Sequence, residues 1–480
     1  MPDSPDGVQA QQIDEVQVYR AFRNKLIADR TRPTYHLISP EGKIGPGDPN
    51  GAIYWKGRYH LHFIFPGGYA HVSSVDMVHW RWHPMTRLGS GRMNSGGCFV
   101  NKDGVATMIY NDSGRGDINH LAFSVDDNLE EWSDAFPVQW KVRPDQDGSK
   151  ISNWDPDGWR QGDTHYALFG RHPFQGGTEG TLLKSSDCRT WDYVGPFMTR
   201  EMPDVARSAD IKVNEDLSCP TFFKLGHKWM LLCISHVKGC RYYLGEWKNE
   251  QFTPDYHARM NWCLSDGMVE GDHGGEFFAP ESLETPDGRR VMWTWCFASS
   301  KSSGNELWDG IQSLPRELSL PGDGVLRIRP LRELEQLRYS PTCAMNLAVE
   351  SGTTCRLQDV AGDALELMVT IAAGEARRFG VRVLCDKDNG KGLDIVVEPG
   401  SKSLRVGATV APFELKRRED VRLRIFVDRR VVEVFANDRQ AVVKQHDYAP
   451  GDVGVCLFSE GGRMVVKEVK SWKMQPANAW

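Results

Sequence analysis

One pattern constrains this chain more than any other: a short alternating apolar strand that returns five times before the last third of the sequence. Its copies are GRYHLHF (57–63), GVATMIY (104–110), DTHYALFG (163–170), HKWMLLCIS (227–235) and RRVMWTWCF (289–297). Period-two alternation reads as half-buried strand, and intervals of roughly 50 to 65 residues leave room for one four-stranded sheet per repeat. A second signature runs in step with the first. SVDMVHW (74–80), SVDDNLEEW (124–132) and SSDCRTW (185–191) each set a serine, an aspartate two residues on and a tryptophan that closes the turn, as the outer hairpins of successive repeats would. Helical periodicity is scarce here, whereas tryptophan, glycine and proline are abundant. A radial all-β array therefore fits better than a helical solenoid or a doubly wound sheet. The expectation is a five-bladed β-propeller over residues 31–328.

The flanks read differently. Residues 1–30 form an N-terminal extension in which 11–30 has the look of a short helix packed on the outside, and 329–340 (RPLRELEQLR and its neighbours) reads as a linker helix. From 341 to 480 the texture becomes ALELMVTI, RRFGVRVLCD, GLDIVVEP, SLRVGATV, VRLRIFVDRRVVEVFAND and VGVCLFSEGG. Alternating strands with polar turns at short intervals predict a β-sandwich.

Charge and cysteine content narrow the function. The net charge is −6, with lysine and arginine dispersed, which argues against nucleic acid or anionic membrane as a partner. No basic, apolar leader or long apolar run is visible, so cytoplasmic residence is the expectation. The 11 cysteines are scattered without a C-x-x-C pair, a distribution that fits free buried thiols better than disulfides or zinc. His60 and His62 share a strand face without a third ligand, so neither metal nor cofactor is expected.

The chemistry must then come from carboxylates. Asp48 stands in GDPNG ahead of the first repeat strand, Asp155 in NWDPDGW ahead of the third, and Glu215 with Asp216 in NEDLSCPTFF ahead of the fourth. Asp-Pro-x-Gly alone is an ordinary turn. Three acid-rich turns at corresponding places in a repeat are a stronger signal, because a propeller gathers such positions around one central pocket. Two or three converging carboxylates without metal or thiol suit glycoside hydrolysis, in which one attacks the anomeric carbon and another protonates the leaving oxygen. Asp272 and Glu281, around GGEFFAPES, are further acids that could face the pocket.

These segments, taken in order as RPTYHLISPEG, GDPNGAIYWKGRYHLHFIF, HVSSVDMVHWRWHP, WDPDGW, SCPTFFKLG, GGEFFAPESL, GRRVMWTW, IQSLPRELSL and FVDRRVVEVFAND, resemble glycoside hydrolase family 32, the β-fructofuranosidases that include invertases, inulinases and levanases. The resemblance spans about residues 32–475 and implies a propeller plus sandwich, a small carbohydrate substrate and no cofactor. It implies Asp48 as the nucleophile of a retaining reaction and Asp155 as the carboxylate that grips sugar hydroxyls. The acid/base is displaced: the family sets a glutamate directly before Cys-Pro, where this chain has Ser218 before Cys219 and Pro220. A small bulge would bring Glu215 to that place, and its longer side chain favours it over Asp216, the alternative. Asn50, Ser95, Gly96 and Cys219 are expected around the sugar, with Trp55 and Trp80 at the rim.

Three further departures concern polar contacts. Gly47 replaces an asparagine, Ile64 a glutamine and Trp154 an arginine. Loss of an arginine contact costs roughly 1.5–3 kcal/mol, so the sugar would be held differently, Trp154 offering a stacking face instead. A fructosidase is the leading expectation; a fructosyltransferase, a hydrolase of another furanoside and a carbohydrate-binding propeller without turnover are the alternatives. A homodimer through the sandwich is also open.

Overall fold

Five mainly antiparallel sheets succeed one another along the chain, and two six-stranded sheets follow them. The computed structural model describes residues 5–42, 45–172, 179–198, 216–236, 239–260, 262, 277–297, 310–388 and 390–478. The first sheet runs Pro49–Trp55, Arg58–Phe65, Gly68–Ser74 and Arg81–Trp82, each strand beside the next. The other four open with Met93–Val100, Trp154–Gln161, Ser218–Leu225 and Phe278–Glu284. Each opening strand lies beside that of the next sheet, and the fifth lies beside the first. The recurrent strands of the sequence are the second members of these sheets, so the acids head the strand before them. That hairpin partner is the inner strand.

The serine-aspartate signature forms the turn between the third and fourth strands. Ser74 Oγ donates to Asp76 Oδ1 at 2.9 Å, and the same oxygen accepts the amides of Val78 and His79. Ser185 and Asp187 repeat the arrangement with the amides of Arg189 and Thr190. The side chains thereby satisfy turn amides that no strand can reach.

Every inner strand shifts register near its start: between Asn50 and Ile53, Met93 and Gly96, Trp154 and Pro156, Ser218 and Thr221, and Phe278 and Pro280. A bulge frees amides from the ladder and re-aims the side chains beside it. Side chains of neighbouring inner strands take up those amides. Asn50 Oδ1 accepts Gly96 N at 2.7 Å, Asp155 Oδ2 accepts Cys219 N at 3.0 Å, and Asp157 Oδ2 accepts Phe222 N at 2.8 Å. One carboxamide and two carboxylates thus stitch together strands that share no ladder.

The last two sheets, built from strands between Arg338 and Met474, share one apolar core that includes Leu367, Val381, Ile395, Ile425, Val434 and Leu457. Between the two regions the expected linker helix is a 3-10 segment, Arg332–Leu337, because a strand ends at Pro330 and the next begins at Arg338. Burial of Leu334 and Leu337 holds it in place. The N-terminal helix α1 (Pro5–Ala28) is present and longer than expected, but of its residues 14–28 only Leu26 is buried, so it is hardly packed. No disulfide joins any two of the ten described cysteines.

Candidate active site

Asp48, at the head of the first inner strand, and Asp155, in the bulge of the third, converge on the thiol of Cys219 in the bulge of the fourth. Cys219 Sγ lies 3.8 Å from Asp48 Oδ2 and 3.7 Å from Asp155 Oδ2. Ser95 Oγ is 3.3 Å from the same sulfur. Cys219 reaches this point with φ of 46°, a left-handed conformation that is costly for a residue with a side chain and typical of functional sites. The strain aims its amide and thiol at two carboxylates at once.

The backbone of Asp48 is held on three sides. Its carbonyl accepts Asn50 Nδ2 at 2.7 Å and the Ile64 amide at 3.0 Å, and Gln312 Nε2 donates to the Gly47 carbonyl at 2.8 Å. A Cβ on residue 47 would stand 2.9 Å from the Ile64 carbonyl oxygen. Glycine is therefore a packing requirement here, and the asparagine expected at 47 has no room. Asp48 Oδ1 is enclosed and accepts no hydrogen bond among the described residues.

Electrostatics sets these acids apart from surface carboxyls. Burial pushes Asp48 up to about 7, the Asp155 charge adds to the rise, and His236, Cys219 and Ser95 oppose it. Burial likewise raises Asp155 to about 6, against the Cys219 amide and the charge of His236. A carboxylate held with little solvation is a stronger nucleophile than one in water, provided it is ionised.

Of the two acid/base candidates, Glu215 lies outside the described residues. Asp216 is buried and fully engaged: Oδ2 accepts Ser218 Oγ–H at 2.7 Å and pairs with His236 Nδ1 at 2.7 Å, while Oδ1 accepts the His236 amide at 2.9 Å. Ser218 Oγ also accepts Trp154 Nε1–H at 2.7 Å. Trp154 is thus pinned by its indole nitrogen and meets His172 edge-on, with ring centroids 4.4 Å apart.

Two rim expectations are corrected. Trp55 ends the strand that Pro49 begins, which puts it about 20 Å from Asp48 at roughly 3.3 Å per residue; it packs near Leu129 with Lys56 over its ring. Trp80 lies in an outer turn against Trp293. Ile64 does face a cavity, one of about 780 Å³ that Arg87, Ser90, Arg92 and Asn94 also line. Asp272 lies outside the described residues. Glu281 is buried beside Asp157 in a second cavity of about 470 Å³ between inner strands.

Sequence reasoning missed Gln312 and His236. The first sits in the quoted segment IQSLPRELSL, and the second directly follows the fourth recurrent strand. His60 and His62 stack with His71 and His83 inside the first sheet. Among the described residues no three or more His, Cys, Asp or Glu side chains are placed to hold a metal ion, and no described helix is long and apolar enough to cross a membrane.

The profile of the glycosyl hydrolases family 32 N-terminal domain matches residues 36–330, and that of the family 32 C-terminal domain matches 333–473. The chain belongs to glycoside hydrolase family 32. As a member it is a glycosidase. It is similar to a sucrose-6-phosphate hydrolase of Zymomonas mobilis (26% identical, covering 95% of this chain and 94% of the relative). A raffinose invertase of Escherichia coli is 27% identical, covering 92% and 95%. Among solved structures, fructan 1-exohydrolase IIa from Cichorium intybus superposes with a TM-score of 0.77 at 18% identity, covering 94% of this chain and 98% of that one. The sucrose-6-phosphate hydrolase from Lactobacillus gasseri gives 0.73 at 18%, covering 96% and 97%. These likenesses place the family 32 fold over nearly the whole chain.

Proposed function

We propose that this glycosidase hydrolyses terminal β-fructofuranosyl linkages with retention, through a covalent fructosyl intermediate on Asp48. Asp155 grips the sugar hydroxyls and steadies the charge that develops at the anomeric carbon. The observation that carries this reading is the convergence of Asp48 and Asp155, from two different sheets, on Cys219. The five sheets act as five blades around that point, over residues 31–328, and residues 341–480 form a β-sandwich beside them. Support comes from relatives described as invertase, sucrose-6-phosphate hydrolase and levanase.

The test is fructose release from sucrose, kestose, inulin, levan and non-fructose furanosides, with the anomeric configuration of the product followed by NMR. The expected result is fructose released first as the β anomer. Transfer products at high substrate would reassign the protein as a transferase, turnover of another furanoside alone would change its substrate, and sugar binding without turnover would make it a lectin-like propeller.

One observation favours a more specific substrate. Arg87 and Arg92 line the cavity beside Ile64, and neither guanidinium has a partner among the described residues. The Ile64 amide donates to the Asp48 carbonyl, so one wall of the cavity is bonded to the backbone of the proposed nucleophile. Two unpaired arginines suit an anionic aglycone such as a sugar phosphate. Replacing both by alanine is expected to raise KM for sucrose 6-phosphate roughly ten- to hundred-fold, as two charge-assisted contacts imply, and to leave KM for sucrose almost unchanged. Equal effects on both substrates would remove the anion site from the proposal.

A further inference from the structure

We infer that His236, oriented by Asp216, is the proton donor to the leaving group. This rests on the fructosidase reading of the same site. A retaining mechanism needs an acid beside the nucleophile, and the described neighbours of Asp48 and Asp155 offer few. The Ser218 hydroxyl is buried between Trp154 Nε1 and Asp216 Oδ2. Cys219 is a thiol whose proton burial holds firmly, its pKa well above the ordinary value. Asp216 accepts the Ser218 hydroxyl and the His236 amide and pairs with His236 Nδ1, so both of its oxygens are engaged.

His236 has the opposite character. Its Nδ1 is committed to Asp216 at 2.7 Å and its backbone amide to the same carboxylate at 2.9 Å, so the ring is fixed and Nε2 is left without a partner among the described residues. The side chain is 35% exposed and sits against Phe278 at the head of the fifth inner strand. The titratable groups that act on it are Asp216, Asp155 and Asp48, all acidic. They outweigh burial and raise its pKa, which favours the protonated ring. An aspartate holding one ring nitrogen while the other faces the reaction is a known way to orient a histidine acid and base.

The steps balance. As Asp48 attacks the anomeric carbon, the carbon–oxygen bond to the aglycone breaks, its electron pair stays on that oxygen, and the Nε2 proton joins it to give the free alcohol. The neutral Nε2 then takes a proton from the water that attacks the anomeric carbon. The ester bond to Asp48 breaks, its electron pair returns to the carboxylate, and fructose leaves with His236 again protonated.

The experiment compares His236→Gln with Glu215→Gln on sucrose and on β-fructosyl fluoride, whose leaving group departs without a proton. The expected result is that His236→Gln lowers kcat/KM on sucrose roughly hundred- to ten-thousand-fold, falls far less on the fluoride, and loses the alkaline limb of its pH profile. Asp216→Asn, which removes the charge that holds the proton, shifts that limb to lower pH. If Glu215→Gln shows the sucrose–fluoride split and His236→Gln does not, Glu215 is the acid and the inference is overturned. Fluoride turnover by wild type with the split in neither variant removes His236 while leaving the fructosidase standing. No turnover of either compound by wild type removes both.

Discussion

Replacing Asp48 by asparagine is expected to abolish fructosyl transfer to water, lowering kcat by about ten-thousand-fold or more, and to leave a protein that unfolds at a higher temperature than wild type at alkaline pH. The size of the first effect follows from the proposed role: without a nucleophile no covalent intermediate would form, and only positioning and electrostatic stabilisation would remain. The direction of the second follows from linkage. Burial raises the Asp48 pKa from 3.8 to about 7, so the folded state holds its proton more tightly than the unfolded state does. The fold is therefore destabilised by this group once the pH exceeds 3.8, fully so above about 7, and a neutral amide removes the penalty. Activity has the reverse preference, since the attacking form is the carboxylate. The wild-type rate should therefore fall as pH drops through about 6 to 7, the range to which burial raises Asp155 and Asp48. Asp155→Asn should move that acid limb to lower pH, because the charge that pushes Asp48 upward is gone. Turnover and thermal unfolding measured on the same preparations decide the matter. A variant that kept most of its turnover, or lost it by unfolding, would strip Asp48 of the nucleophile's role.

The all-β character was legible because strand alternation and the serine-aspartate turns are local codes, set within a few residues. Asp48 and Asp155 were legible for a related reason: each heads or begins an inner strand, and that position is visible as an acid-rich turn before a recurrent strand. What the chain does not announce is where a bulge turns its side chains. Asn50, Asp155 and Cys219 meet because three strands each shift register within their first residues, and no periodicity encodes that shift. His236 was invisible for the same cause, since it is only the residue after HKWMLLCIS until the fold sets it beside Asp216. Trp55 was misplaced by treating the strand's aromatic end as near its acidic head. In the second half of the chain, FVDRRVVEVFAND reads as an alternating strand, and alternation alone does not say what its polar residues face. Asp428 and Glu433 are fully buried, because their face meets the first region rather than solvent.

That junction carries the largest expected effect on stability: Glu433→Ala should cost about 3–5 kcal/mol. Glu433 Oε2 accepts Arg316 Nη2 at 2.6 Å, and Oε1 accepts the Leu314 amide at 2.7 Å and lies 3.3 Å from His36 Nε2. His36 Nδ1 pairs in turn with Asp428 Oδ2 at 2.8 Å, while Asp428 accepts the amides of Thr34, Tyr35 and His36. The chain's entry segment, its fifth sheet and one of its six-stranded sheets are therefore tied through two buried carboxylates. Alanine at 433 would strand the cation of Arg316, stacked 4.0 Å from the Phe277 ring centroid, in a site that water does not reach. Partner loss of this kind is costlier than replacing the whole group by apolar residues, so Arg316→Met should recover part of the loss in the double variant. The pH dependence has a defined window. His36 is raised to about 9 by its two carboxylates despite burial, so its contribution is complete below its ordinary value of 6.5 and disappears as pH rises through about 9. Asp428 and Glu433 are lowered by His36 and Arg316 despite burial, so theirs is complete above their ordinary values of 3.8 and 4.5 and is lost as pH falls through the lower folded values. All three contribute fully between 4.5 and 6.5. Urea unfolding of Glu433→Ala should show its greatest deficit in that interval. The deficit should narrow toward alkaline pH, where wild type also loses the His36 charge. A deficit below about 1 kcal/mol, the range of an exposed ion pair, would mean that the junction is held by its apolar contacts and that the buried charges serve only to set its register.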